Sequence, residues 1–315
     1  MILKPMEENV IIKGQYDLSG TLTIPKTNKE KYPAVILVAG SGEVDRNGNA
    51  VKMNFDMNIY RELSQIITDL GFITLRYDKR GVGESKGSFM ETGMWDLVDD
   101  LVASVKWLRN HPKVDADNIV LLGHSEGCTL ITAAYTKCLP SRMIMLSGAA
   151  EPIIDALKRQ RDIAFSELLN SKGLKGLLFR LLKVDQKGEK QAAKLIEKVK
   201  ESYKAVIRYN LVKINAKWQR EHFNYDVYED LIKVECPVLA ITGDKDFQAN
   251  PERLKNLPGL VKGDVQCYVV ENMDHILKEF KGQISAMNFK KQYQSEADQP
   301  LHQDLVGLIK EWLLS

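Results

Sequence analysis

The chain reads as an α/β protein: a mostly parallel sheet of about eight strands, flanked by helices, with one inserted helical segment. Three observations predict this. Short apolar runs that stop at glycine, such as residues 34–39 before Gly40, suit strands covered on both faces. Stretches of helical spacing lie between successive runs, which implies parallel strands joined by right-handed crossovers. The alternation then fails once, from about 149 to 228, over a span too long for a loop.

Taken in order, Val10, Ile11 and Ile12 and then residues 18–25 read as two strands joined by a turn around Gly14 to Asp17, an antiparallel start. The run 34–39 is a buried strand. Residues 58–70 carry Ile59, Leu63, Ile66, Ile67 and Leu70 at helical spacing and stop at Gly71. Residues 72–77 form the next strand and lead into a glycine-rich loop. A second helix covers 95–109, with Leu97, Leu101, Val105 and Leu108 on one face. Strands follow at 118–122, 142–148, 236–243 and 265–270, and a helix at 301–314 closes the chain.

The break at 149–228 divides the chain into a core of residues 1–148 and 229–315 and a helical cap. Its apolar rows, Ile153, Ile154 and Leu157; Leu174, Leu177, Leu178, Leu181 and Leu182; Leu195, Ile196 and Val199; Val206, Ile207, Leu211 and Ile214, each read as a helix face. The leucines from 174 to 181 are expected mainly to pack on neighbouring helices, with a minority lining an acyl pocket. The segment is also basic: residues 151–221 hold 17 Lys and Arg against 9 Asp and Glu, a net +8. A solvated helical surface and a docking face for anionic substrates or lipid headgroups both fit that charge.

Over all 315 residues the formal charge is only +2, so no global field favours nucleic acid as a partner. No run approaches the ~18 apolar residues of a membrane span, which argues against an integral membrane protein. The first residues carry acids early and lack a long apolar stretch, unlike a secretory signal. Cys128, Cys138, Cys236 and Cys267 are far apart, without C-x-x-C spacing, and read as buried free thiols; a cytoplasmic location is the matching expectation. Five histidines without a clustered ligand pattern give no basis for a zinc site.

The chemistry concentrates in Gly123-His124-Ser125-Glu126-Gly127, between a strand and a helix-compatible stretch. In that setting G-x-S-x-G makes a sharp turn that lifts a serine hydroxyl above the sheet, beside a helix N-terminus whose amides can stabilise an anion. A triad then needs an acid and a histidine later in the chain. Asp246 follows the strand 236–243 and is the first choice; Asp244 is its rival, with turn formation as its alternative role. His275 stands just past the strand 265–270, where a base must be to take the serine proton. Of the other histidines, His124 points away from the nucleophile as the variable position of the turn, and His111, His222 and His302 lie elsewhere. Two backbone amides should hold the oxyanion: that of Glu126 and one from the loop after residues 34–39, with Ser41, which follows the glycine that ends the strand, the first choice of donor.

These motifs resemble the α/β-hydrolase superfamily. So does Asp78-Lys79-Arg80-Gly81-Val82-Gly83-Glu84-Ser85, which matches a D-x-R-G-x-G-x-S loop, while the loop from Gly40 to Gly48 resembles bacterial esterases similar to esterase D. Ala39 stands where many hydrolases have histidine. The resemblance covers roughly residues 6–148 and 230–315. It implies a serine hydrolase that cleaves small to medium carboxylic esters through Ser125, His275 and Asp246, with the amides of Ser41 and Glu126, and without metal or organic cofactor. Amide or thioester cleavage would use the same residues, and a hydrolase-fold protein that only binds its ligand is the non-enzymatic alternative. Ser125 excludes the epoxide hydrolases and dehalogenases, which need aspartate at that position.

Overall fold

A computed structural model describes residues 5–51, 53–148 and 150–315. The chain runs β1 (Met6–Lys13), β2 (Asp17–Ile24), β3 (Tyr32–Val38), α1 (Ile59–Asp69), β4 (Ile73–Tyr77), α2 (Met94–Arg109), β5 (Val114–His124), α3 (Glu126–Ala133), α4 (Tyr135–Cys138) and β6 (Arg142–Leu146). An insertion follows: α5 (Ile153–Leu169), α6 (Gly173–Leu181), α7 (Val184–Glu201), β7 (Val206–Tyr209), β8 (Val212–Asn215), α8 (Ala216–Asn224) and α9 (Val227–Leu231). The core resumes with β9 (Val238–Gly243), α10 (Leu257–Leu260), β10 (Val265–Val270), α11 (Phe289–Glu296) and α12 (Gln303–Leu314).

Eight strands form one sheet in the order β1-β2-β4-β3-β5-β6-β9-β10. β1 and β2 pair antiparallel, as do β2 and β4; every later pairing is parallel. The continuous apolar strands follow from cover on both faces. Ala34, Ile36 and Val38 of β3 enter one core with α2 and α3, while Val35 and Leu37 enter the other with α1 and α12. β5 divides the same way, Ile119 and Leu121 against Val120 and Leu122. The order of strands reverses around β3, which has β4 on one side and β5 on the other. The C-terminal ends of such strands open onto a crevice.

The insertion departs from the sequence expectation twice. The row Val206, Ile207, Leu211 and Ile214 is not a helix: it is an antiparallel hairpin of β7 and β8, with Ile207 opposite Ile214. Its β-branched residues favour strand, and Asn210 and Leu211 both adopt positive φ, 47° and 66°, in a two-residue turn that no helix accommodates. The leucines of α6 and its C-cap are not buried between helices either. Leu174 is 85% exposed and Leu181 72%, and Leu177, Leu178 and Leu182 are also exposed. The core inside the insertion is small, with Val199, Ile207 and Ala216 as its buried residues.

Among the described residues no helix is long and apolar enough to cross a membrane. The four cysteines are free; three are buried and Cys267 is half-buried.

Candidate active site

Ser125 stands between β5 and α3 with φ 53° and ψ −119°, a conformation strained for any residue with a side chain. The two flanking glycines make the turn possible. A Cβ on Gly123 would lie 2.4 Å from the Gly127 carbonyl carbon, and one on Gly127 would lie 2.2 Å from the Val38 oxygen. The Ser125 amide is tied to the Leu146 carbonyl at 2.8 Å, so the turn is fixed to β6. Glu126 is the first residue of α3, a position at which a helix leaves the backbone N–H without an intrahelical acceptor.

The ends of β9 and β10 bring Asp246 and His275 together. His275 Nδ1 donates to Asp246 Oδ2 at 2.8 Å, which leaves Nε2 as the free basic position. The other carboxylate oxygen of Asp246 accepts the amides of Gln248 and Ala249, each at 2.8 Å. Both side chains are buried. Asp244 does not form its own turn: its Oδ1 accepts the Asn272 amide at 2.6 Å, which ties the loop after β9 to the loop after β10, and its ion pair is with Lys245. His275 and Ser125 line one cavity of about 140 Å³ together with Ser41, Tyr60 and His124. Ser41, Ser125 and Glu126 line a second of about 90 Å³, walled by Ile153, Leu157 and Trp218 of the insertion. A third, about 310 Å³, joins Ser41 and Glu126 to Phe89, Met90 and Trp218.

Several participants were not singled out from the sequence. His124 is the first. It is buried and bridges helix α1 to the loop after β10: Tyr60 Oη lies 2.9 Å from its Nδ1, and its Nε2 lies 2.9 Å from the His275 carbonyl. Gly40 donates its amide to Tyr60 Oη at 2.9 Å. A carbonyl can only accept, so His124 carries its proton on Nε2, and Tyr60 donates to Nδ1. Burial, with the neighbouring His275, holds the His124 pKa down to about 3, so the ring is neutral.

A buried charge cluster lies under the serine. Lys79 donates to the Gly40 carbonyl and lies 3.7 Å from Glu126 Oε2. Trp218 Nε1 donates to Glu126 Oε1, and His222 Nε2 is 3.2 Å from the same oxygen. Burial pushes the Glu126 carboxyl up, but Lys79 first, then His222 and Trp218, outweigh it and hold it below the ordinary carboxylate value. Burial lowers the Lys79 ammonium, partly offset by Glu126. The loop motifs are clamped to each other nearby. Arg46 gives its backbone amide to Asp78 Oδ1 at 2.7 Å, and its guanidinium reaches Asp78 Oδ2 and Glu84. The signal for this clamp was present in the two motifs; their mutual contact was not. Among the described residues no group of three or more His, Cys, Asp and Glu side chains is placed to hold a metal ion.

A twisted, mainly parallel sheet of this order, with a strained serine after β5 and an Asp–His pair after β9 and β10, defines an α/β-hydrolase. The family model described as serine aminopeptidase, S33, matches residues 53–279, and the chain belongs to that family. Esterase EstD of Thermotoga maritima is 24% identical over 289 residues; the match takes in 90% of this chain, which spans 63% of that relative's length. Est1E from Butyrivibrio proteoclasticus, solved with ferulic acid bound, superposes with a TM-score of 0.60 at 19% identity, over 92% of this chain and 98% of its own. The Pyrococcus furiosus esterase Pf2001 gives a TM-score of 0.54 at 15% identity, over 94% and 91%. At these identities the two solved structures speak for the fold.

Proposed function

We propose that the protein is a serine carboxylesterase that cleaves small to medium acyl esters through an acyl-enzyme. The observation that carries this reading is the strained Ser125 in one cavity with a His275 whose Nδ1 is committed to Asp246. Ser125 Oγ attacks the ester carbonyl while His275 Nε2 takes its proton; Asp246 holds the tautomer and balances the imidazolium that forms. The amides of Ser41 and Glu126 receive the negative oxygen. His275 then protonates the departing alcohol. A water, deprotonated by the same nitrogen, releases the acid and restores Ser125. None of these steps calls on a metal or organic cofactor.

The similarity to esterase EstD supports the ester reading over the aminopeptidase activity in the family's description, and so does the charge of the site. A free substrate amine needs an uncommitted carboxylate. Glu126 is taken by Lys79 and Trp218, and Glu151 by Arg159 at 2.9 Å and the Asn250 amide at 3.1 Å. The small spaces on the two sides of Ser125, about 90 and 140 Å³, favour short acyl groups.

The segment 149–228 acts in this proposal as a lid over the core of residues 1–148 and 229–315. Its support is the cavity wall: Ile153, Ala156, Leu157 and Gln160 of α5 and Trp218 of α8 all line the space at Ser125. The deciding experiment is a panel of p-nitrophenyl esters of graded chain length beside aminoacyl anilides, with fluorophosphonate labelling of Ser125. Esters of short acids should be turned over fastest. Preference for anilides would make the protein an aminopeptidase, and absence of labelling would end the serine mechanism.

A further inference from the structure

Helix α6 is amphipathic in the wrong direction for a globular protein. Its four leucines, Leu174, Leu177, Leu178 and Leu181, and Leu182 that caps it are all exposed, from 45% to 85%. At 3.6 residues per turn they share roughly 140° of arc. Gly176 is the buried residue of the helix, and a Cβ there would collide at 1.8 Å with the carbonyl oxygen of Ser171, in the segment that leads into α6. A monomer rarely leaves so dense an apolar stripe in water, and such stripes mark contact surfaces.

The charge around the stripe identifies the partner. Residues 168–184 contain Lys172, Lys175, Arg180 and Lys183 and no acid at all. Arg180 donates to the Leu169 carbonyl and Lys175 lies over the Phe179 ring. Among the described residues none of the four cations pairs with a carboxylate. A second copy of the chain would bring one cationic rim against another, so self-association through this face is opposed by like charge. None of the five leucines lines the cavities at Ser125 or Ser41.

We propose that α6 is an interfacial helix that seats the insertion on an anionic phospholipid surface. The leucines enter the acyl-chain boundary while Lys172, Lys175 and Lys183 meet headgroup phosphates, the arrangement that a cationic amphipathic helix adopts at a bilayer. The helix is far too short to span one. This inference does not depend on the ester-hydrolysis reading.

The test is cosedimentation of the full chain with extruded vesicles, either pure phosphatidylcholine or containing about 30% phosphatidylglycerol. Binding is expected to the anionic vesicles, with loss in ~0.5 M NaCl as the lipid charge is screened. Because the leucines are exposed, the double variant Leu178→Gln/Leu181→Gln should keep the wild-type melting temperature and bind roughly tenfold or more weakly. The triple variant Lys172→Gln/Lys175→Gln/Lys183→Gln should lose the preference for phosphatidylglycerol. No binding to either vesicle, or binding untouched by the leucine changes, overturns the proposal. So does light scattering that finds a wild-type dimer which the leucine variant turns into a monomer, because the stripe would then be a contact between copies.

Discussion

The loops beside Ser125 are held by buried hydrogen bonds, whereas the insertion is joined to the core mainly by half-buried and exposed ones, such as Arg159 to the Phe247 carbonyl, Asn215 to the Thr92 carbonyl and Lys217 to Asp96, around a thin core of its own. The Gly40 loop is gripped by Tyr60 through its amide and by Lys79 through its carbonyl. The His275 loop is gripped by His124 and Asp246. In contrast, the 17 residues of α5 include none that is fully buried, and α7 buries Val199 alone. The difference teaches where precision is stored. At the serine, paired buried charges and strained backbone fix the groups; the insertion has a thin core and depends on polar joints that water can reach.

The sharpest way to break this comparison is to remove one reacting group from the floor. Ser125→Ala should lower ester turnover by roughly 10⁴-fold or more and leave the fold intact, because alanine tolerates the tight turn as well as serine does. His275→Ala should do comparable damage. Retention of most activity in either variant would show that the floor is not the catalytic region. Asp246→Asn should cost several orders of magnitude by favouring the wrong histidine tautomer, while Asp244→Asn should be mild. Reversed results would move the acid to Asp244.

Next in size is the buried pair. Glu126→Gln would strand Lys79 in a nearly dry site, and a broken buried pair typically costs about 3–5 kcal/mol. Urea denaturation should therefore find Glu126→Gln much less stable than the double variant Lys79→Met/Glu126→Gln. Equal stabilities would mean that the pair does not anchor the floor.

His124 gives a pH version of the same test. Its folded pKa of about 3 lies below the ordinary value of 6.5, so between those values the unfolded chain binds the extra proton. Its contribution is complete above 6.5 and is lost as the pH falls toward 3. Melting temperature should drop steeply on acidification across that window, and His124→Asn should flatten the slope. An unchanged slope would place the acid sensitivity elsewhere.

The floor was legible in the sequence and the insertion only partly so, for one physical reason. β3 and β5 are covered on both faces, so their apolar runs and bounding glycines have a single reading. Ser125, Asp246 and His275 lie on short loops that directly follow strands, so strand order alone predicts their neighbourhood. The Lys79–Glu126 and Arg46–Asp78 contacts were not legible, because each joins residues from separate loops that meet only in the folded sheet. In the insertion, an apolar residue at helical spacing says that a face exists but not what it faces. Leu174 and Leu181 point to solvent although their pattern suits a core.

The smallest expected effect concerns the turn of the β7–β8 hairpin, and it separates the two readings of residues 206–214 by sign. Leu211 is 97% exposed and sits at φ 66°, so its side chain buries almost nothing while its backbone occupies a region that favours glycine. Asn210 before it, at φ 47°, completes a pair for which Asn-Gly is the preferred sequence in a two-residue hairpin. Leu211→Gly should therefore raise stability by about 0.5–1 kcal/mol, the relief of left-handed strain outweighing the extra freedom of the unfolded chain. In a helix the same change would cost about 1 kcal/mol. A differential melting measurement on the two proteins decides between them: an increase keeps the hairpin, and a decrease restores the helical reading of this row.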